Sequence, residues 1–258
     1  MLDLEVDRPH PARVYDYILG GGQHFASDRA AAEDMLKGWP DLRMSMQQNR
    51  RFMHRVVAHL AGDVGIRQFL DIGAGIPTSP NAHEIAQRIA PDSRVVYVDN
   101  DPIARAHALE DDDLSSHSVY LQADFRDPAG IFAAPDLLGT LDLSRPVAVL
   151  VIAMVQFIGD DEAYDLVRST MEKVPPGSYL ALTTVTADSN PTVARIAQDY
   201  TDHGMPMYVR DHKSAEQFFD GLDLVAPGVV LAHHWPTLVD GSVRDAEVGM
   251  YAGLARKP

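Results

Sequence analysis

The sequence predicts an α/β doubly wound fold with a mostly parallel, seven-stranded sheet. Three observations carry this reading. Between residues 66 and 185, short apolar, β-branched runs alternate with helical patterns, as in a parallel sheet buried on both faces. The first sixty residues hold helical patterns and no strand. The last two strand candidates follow each other with no helix between them, so an antiparallel pair closes the sheet. The chain therefore divides into an N-terminal helical cap, residues 1–62, and a body, residues 63–258, within one domain.

In chain order, Ala12 to Leu19 reads as a short helix, with Val14, Tyr15, Ile18 and Leu19 on one face. Gly20-Gly21-Gly22 stops it, because three glycines carry too much backbone freedom for a helix interior. The run is expected to act as a hinge over the pocket. Ser27-Asp28 is placed to cap a helix over Arg29 to Lys37, ended by Gly38 and Pro40. A longer pattern runs from Asp41 to Leu60.

In the body, Gln68 to Ile72, Arg94 to Asp99 and Ser118 to Gln122 read as strands. Pro146 to Val155 is a fourth and Tyr179 to Val185 a fifth. Helices are expected over Asn81 to Ile89, Pro102 to Glu110 and Asp161 to Val174. The 36 residues between Val185 and Leu222 exceed one crossover and are read as two helices, Pro191 to Asp202 and Ser214 to Phe219. Leu222 to Val230 and Ala246 to Ala255 form the closing strand pair.

Composition excludes several functions. At 258 residues and 46% hydrophobic, the chain can bury a sizeable core. A formal charge of −15 repels phosphate backbones, so neither nucleic acid nor an anionic membrane is expected as a partner. No cysteine is present, which removes disulfides, thiolate metal sites and a Cys nucleophile. The longest apolar run, Val147 to Val155, is far short of the ~20 residues of a membrane helix. The acidic start differs from a basic secretory n-region, and a cytoplasmic location is expected.

The most informative segment is Asp71-Ile72-Gly73-Ala74-Gly75, joining the first strand to the next helix. Ligands of open α/β sheets bind at the carboxyl ends of strands, where the strand order reverses. Two features argue against a dinucleotide. The third glycine of a GxGxxG pattern would fall at Thr78, and Asp71 would face a pyrophosphate with negative charge. A ligand carrying ammonium and sulfonium groups would instead be attracted to it. The second strand ends at Asp99-Asn100-Asp101, where a carboxylate can accept both hydroxyl protons of a ribose. The third leads to Asp124-Phe125, an acceptor for an adenine amino group beside a ring that can pack on the base. Met154 and Gln156, at the end of the fourth strand, point toward the same crevice.

On these residues the chain resembles the class I S-adenosylmethionine-dependent methyltransferases, whose fold is Rossmann-like. Pro11 to Gly21 and Asn49-Arg50-Arg51-Phe52 resemble, more narrowly, an actinobacterial family of S-adenosyl methyltransferases catalogued as a domain of unknown function. The resemblance implies S-adenosyl-L-methionine as cofactor and S-adenosyl-L-homocysteine as product. The residues expected to hold it are Asp71, Gly73, Ala74, Gly75, Asp99 and Asn100, then Asp124, Phe125 and Met154, with Tyr15 and Arg50 from the cap. Arg13 and Tyr17 are further candidates for the cofactor carboxylate or the substrate.

Within that resemblance, missing features narrow the acceptor. The Asn/Asp-Pro-Pro-aromatic segment of amino-directed DNA methyltransferases is replaced by Ala153-Met154-Val155-Gln156-Phe157. Pyrimidine C5 chemistry requires the missing cysteine. A small-molecule methyl acceptor is therefore expected. The alternative is a non-catalytic module that senses S-adenosylmethionine or S-adenosylhomocysteine. No metal site is expected, because adjacent His233 and His234 would diverge on an extended chain. Glu110 to Asp113 reads as a solvated acidic turn.

Overall fold

A computed structural model describes residues 6–110, 116–236 and 241–258. The acidic run at 111–113 lies outside them. The chain opens with α1 (Pro11–Leu19), α2 (Ala26–Gly38) and α3 (Leu42–His59), followed by a single wide turn at Leu60–Val64. The body follows as β1 (Gln68–Ile72), α4 (Ala82–Ile89), β2 (Arg94–Asp99), α5 (Pro102–Glu110), β3 (Ser118–Gln122), α6 (Pro128–Ala133), α7 (Pro135–Thr140) and β4 (Ala148–Val151). Then come α8 (Asp160–Glu172), β5 (Tyr179–Val185), α9 (Thr192–Asp202), α10 (His212–Glu216), β6 (Asp223–Leu224), β7 (Val230–Leu231) and β8 (Met250–Arg256).

The strands form one sheet in the order β3-β2-β1-β4-β5-β8-β6, with β7 also paired to β8. β1 to β5 are mutually parallel, and β8 is antiparallel to β5. The order reverses between β1 and β4, which makes the gap above their carboxyl ends the switch point of the sheet.

Side chains alternate across the sheet with the period of two that a strand imposes. Phe69, Val95, Tyr97 and Leu150 join the core with α1 to α4 and α9. Leu70, Val96, Val98 and Val149 join the core with α6 to α8. Val14, Ile18, Met35, Phe52, Val56 and Leu60 of the N-terminal helices lie in the first cluster. Those helices are therefore built onto one face of the sheet.

The structure corrects several boundaries. The expected sixth strand, Leu222 to Val230, is two short pieces. β6 faces Arg256 and Ala255, and β7 faces Ala252 and Tyr251. Together they fill the seventh position along one edge of β8. The break falls where Pro227 has no N–H to donate and Gly228, at φ +89°, turns the chain. β8 begins at Met250 rather than Ala246, because Asp245–Glu247 forms a 3₁₀ turn. The fourth strand ends at Val151, and Ala153 adopts φ +53°, which no strand residue does. Helices α6 and α7 were not expected. Each starts with proline at its first position, where the missing N–H costs nothing.

α2 begins at Ala26, and Asp28 sits in its first turn rather than capping a later helix. The fully buried Asp28 accepts from the backbone N–H groups of Phe25 (2.8 Å) and His10 (2.9 Å), and Arg13 Nε lies 3.3 Å away. The glycine run has a packing reason. Gly20 ends α1 in the left-handed conformation. A Cβ on Gly21 would lie 1.9 Å from Asp16 Oδ1. The Asp16 carboxylate accepts from Gln23 N at 2.8 Å and meets His24 Nδ1 at 2.9 Å, so the chain reverses around it.

Candidate functional site

Above the switch point lies a cavity of about 240 Å³. One side of it is made by the carboxyl ends of β1, β2, β3 and β4, the other by α1, α3 and α9. Each of the eleven residues singled out from the sequence lines it, from Tyr15 and Arg50 in the N-terminal helices to Met154 after β4.

The geometry follows from strand alternation. Asp71 shares the face of Phe69, and Asp99 that of Val95 and Tyr97, so both carboxylates point toward the N-terminal helices. Asp71 is buried, and no side-chain hydrogen bond is formed by it among the described residues. Burial raises its pKa to about 7, with the Arg50 guanidinium opposing the rise and the Asp99 carboxylate adding to it. Arg50 is anchored by donating to the Thr78 and Pro80 carbonyls. It thereby holds the loop after Gly75 while its charge faces Asp71.

Asp99 is 8% exposed. Its Oδ2 accepts from Gly75 N and its Oδ1 from Asp101 N, at 2.8 and 2.9 Å. Burial raises its pKa, and these two backbone donors oppose the rise. Each carboxylate oxygen has two acceptor positions, so capacity remains for two ligand hydroxyls. Asn100 is exposed at the rim.

Gly73 and Gly75 adopt φ +71° and +65°. The N–H groups of Gly73 and Ala74 both donate to Val98 O, which folds the loop over β2. A Cβ on Gly73 would lie 2.4 Å from Met154 Cγ, so the β1 and β4 ends close on each other at this point. Tyr120 donates to Gly75 O at 3.0 Å.

Asp124 is half exposed and accepts from Arg126 N at 2.9 Å, an Asx turn that occupies one of its oxygens. Phe125 is 2% exposed and packs in the second cluster while lining the cavity.

Arg13 and Tyr17 are corrections, since neither lines the cavity. Arg13 pairs with Asp28 and lies over the Phe25 ring. Tyr17 donates to Glu33 on α2. His233 and His234 do not diverge. They share a 3₁₀ turn with ring centroids 4.0 Å apart, and both lie against Asp245 Oδ1 at 3.1 and 3.0 Å. Their ligand atoms and that of Asp245 fall within 4.8 Å of one another, outside the cavity.

Trp39, Leu42, Val193, Ile196 and Tyr200 form the deeper lining, of which sequence reasoning missed Trp39 and Leu42. It also missed Arg210, which is 1% exposed. Arg210 donates to the Val155 and Ile158 carbonyls and pairs with Asp160 at 2.9 Å. Its neighbour Tyr208 donates its N–H to Gln156 O at 2.7 Å. These bonds fix the turn that carries Gln156. A lone Arg between Val209 and Asp211 carries no local signal of that role.

The residues fit an adenosine-bearing cation. Carboxylates stand at the ends of three successive strands, the glycines bring backbone close to the cavity, and Asp71 is left unpaired by hydrogen bonds. Among the described residues no helix is long and apolar enough to cross a membrane.

A family model described as S-adenosyl methyltransferase matches residues 2–258. The chain is similar to a DUF574 family protein from Streptomyces avermitilis of known crystal structure, with 49% identity and a TM-score of 0.95 over 99% of this chain and 100% of that one. It is also similar to a Thermobifida fusca protein carried under a provisional methyltransferase label, with 36% identity and a TM-score of 0.94 over 99% and 97% of the two chains. A more distant likeness, at 14% identity, is to the Synechocystis magnesium protoporphyrin IX methyltransferase ChlM solved with bound SAM. There the TM-score is 0.54 over 95% of this chain and 90% of that one, which compares folds only. No curated protein matches the chain.

Proposed function

The chain belongs to the S-adenosyl methyltransferase family, and from that premise we propose how its residues hold S-adenosyl-L-methionine and what they methylate. In this reading the ribose hydroxyls donate to Asp99 and the adenine amino group to Asp124, with Phe125 beside the ring. Asp71 faces the ammonium of the methionine part. Gly73, Ala74 and Gly75 let the backbone approach it. Met154, Asn100, Tyr15 and Arg50 complete the enclosure. The observation that carries this reading is the convergence of three strand-end acids on one cavity, with Asp71 buried there and not hydrogen-bonded.

When bound, S-adenosylmethionine supplies an electrophilic methyl group: the acceptor lone pair forms the new bond, the C–S pair stays on sulfur to leave S-adenosylhomocysteine, and the acceptor proton passes to water. The protein's part is orientation and removal of water. Proximity of this kind is worth about 7–11 kcal/mol of barrier in favourable cases, so no dedicated nucleophile is needed. The N-terminal helices α1 to α3 serve as a cap that closes the crevice over the strand ends. The acceptor is a small molecule, as the net charge of −15 favours.

Calorimetry with S-adenosylmethionine, S-adenosylhomocysteine and NAD tests the cofactor assignment. The first two are expected to bind and NAD is not. Binding of NAD alone would overturn the reading. Cofactor binding without turnover across a broad acceptor panel would point instead to a sensing module.

A further inference from the structure

The cavity has a second wall that the cofactor contacts leave unused. Trp39, Leu42, Val193, Ile196, Tyr200 and Met250 build it. They come from the α2–α3 junction, α9 and the start of β8, and none carries a formal charge. Phe157 stands beside Tyr200, their ring centroids 6.1 Å apart. Met46, Met53 and Met207 also face the cavity.

Among the described residues, three lining side chains carry a buried polar atom with no hydrogen-bond partner: Trp39 Nε1, Asn49 Oδ1 and Gln156 Oε1. Trp39 and Gln156 are 4% exposed, and Asn49 is 1% exposed. The two amide orientations are set by their partners. Gln156 Nε2 lies 2.7 Å from the Ala153 carbonyl, which can only accept. Asn49 Nδ2 lies 3.1 Å from Tyr15 Oη, which spends its own proton on Met46 O. In both cases the carbonyl oxygen is left over. A buried polar atom without a partner is costly, and folded proteins leave few of them. Two acceptors and one donor on the same cavity therefore suit a ligand with complementary polar groups.

Resting on the reading that S-adenosylmethionine occupies the strand-end wall, we propose that this second wall binds the methyl acceptor, and that the acceptor is a neutral aromatic molecule bearing a hydroxyl group. The hydroxyl donates to Gln156 Oε1 and accepts from Trp39 Nε1. The ring lies among the aromatic and methionine side chains, whose rings and thioethers favour aromatic partners. An anionic or cationic acceptor would lose hydration here with no opposite charge in this wall to replace it.

The test titrates 2-naphthol, naphthalene and 2-naphthoate into the full chain saturated with S-adenosylhomocysteine. 2-Naphthol is expected to bind at least tenfold more tightly than either of the others. Trp39→Phe and Gln156→Met are each expected to weaken 2-naphthol at least fivefold while holding S-adenosylhomocysteine affinity within twofold. That second reading also certifies the fold of each variant. The proposal is overturned if 2-naphthol fails to bind, if naphthalene or 2-naphthoate binds as tightly, or if both variants keep the wild-type affinity for 2-naphthol. Failure of S-adenosylhomocysteine to bind the wild type would instead strike the cofactor reading, and titration of 2-naphthol into the ligand-free chain would still decide the fate of the second wall.

Discussion

Gly75 donates its backbone N–H to Asp99 Oδ2 at 2.8 Å. The carboxylate that ends the second strand therefore holds the glycine loop that follows the first. One side chain does two jobs: it sets the shape of the loop and offers acceptor positions for a ribose. Asp99→Ala should weaken S-adenosylhomocysteine binding at least tenfold, or about 1.4 kcal/mol, measured by calorimetry. Asp99→Asn keeps an acceptor for Gly75 and should lose less. Unchanged affinity in the alanine variant would remove Asp99 from the site.

Gly73 sits at φ +71° with the place of its missing Cβ only 2.4 Å from Met154 Cγ. Gly73→Ala adds both a left-handed alanine, at a cost of about 1–2 kcal/mol, and a clash. Thermal denaturation should show a lowered melting temperature. Adding Met154→Ala should recover the part due to the Cγ clash and leave the part due to φ together with the remaining 2.9 Å approach to the Met154 Cβ. A double variant no more stable than Gly73→Ala would mean that the two strand ends are not packed as described.

Asp71 gives a pH dependence with a definite sign. Its carboxyl rises from an ordinary 3.8 to about 7 through burial, so the folded state holds this proton more tightly than the unfolded one. Its stabilising contribution is full below about pH 4 and is lost as pH rises through 7. Asp71→Asn should flatten that slope in the ligand-free protein. Cofactor binding should run the other way, because the ammonium group favours the ionised carboxylate. Affinity for S-adenosylhomocysteine should rise about tenfold from pH 6 to 8 and stay flat in Asp71→Asn. A wild-type affinity independent of pH would separate Asp71 from the ammonium.

Legibility in the sequence followed how local each determinant is. The strand-end acids and glycines of the site lie within a few residues of clear β-branched runs, and each was readable in place. The end of β4 was not. Ile152 to Val155 is as apolar as a strand, but Ala153 donates its N–H to Thr183 Oγ1 at 2.7 Å and turns into φ +53°. That bond belongs to β5 and leaves no trace in the local pattern. Arg13 looked available for a ligand because its partner Asp28 lies on the next helix. Gln156 was placed at the crevice from its own sequence position, but its meeting with Trp39, Asn49 and Tyr200 was not legible, because these come together only after α2, α3 and α9 pack on the sheet.

S-adenosylmethionine is proposed to lie along the three strand-end acids. A crystal structure of the complex with S-adenosylhomocysteine tests it most directly. Density is expected with the ribose hydroxyls on Asp99, the adenine beside Asp124 and Phe125, and the amino group facing Asp71. Density with the ribose away from Asp99, or a ligand outside this cavity, would contradict it.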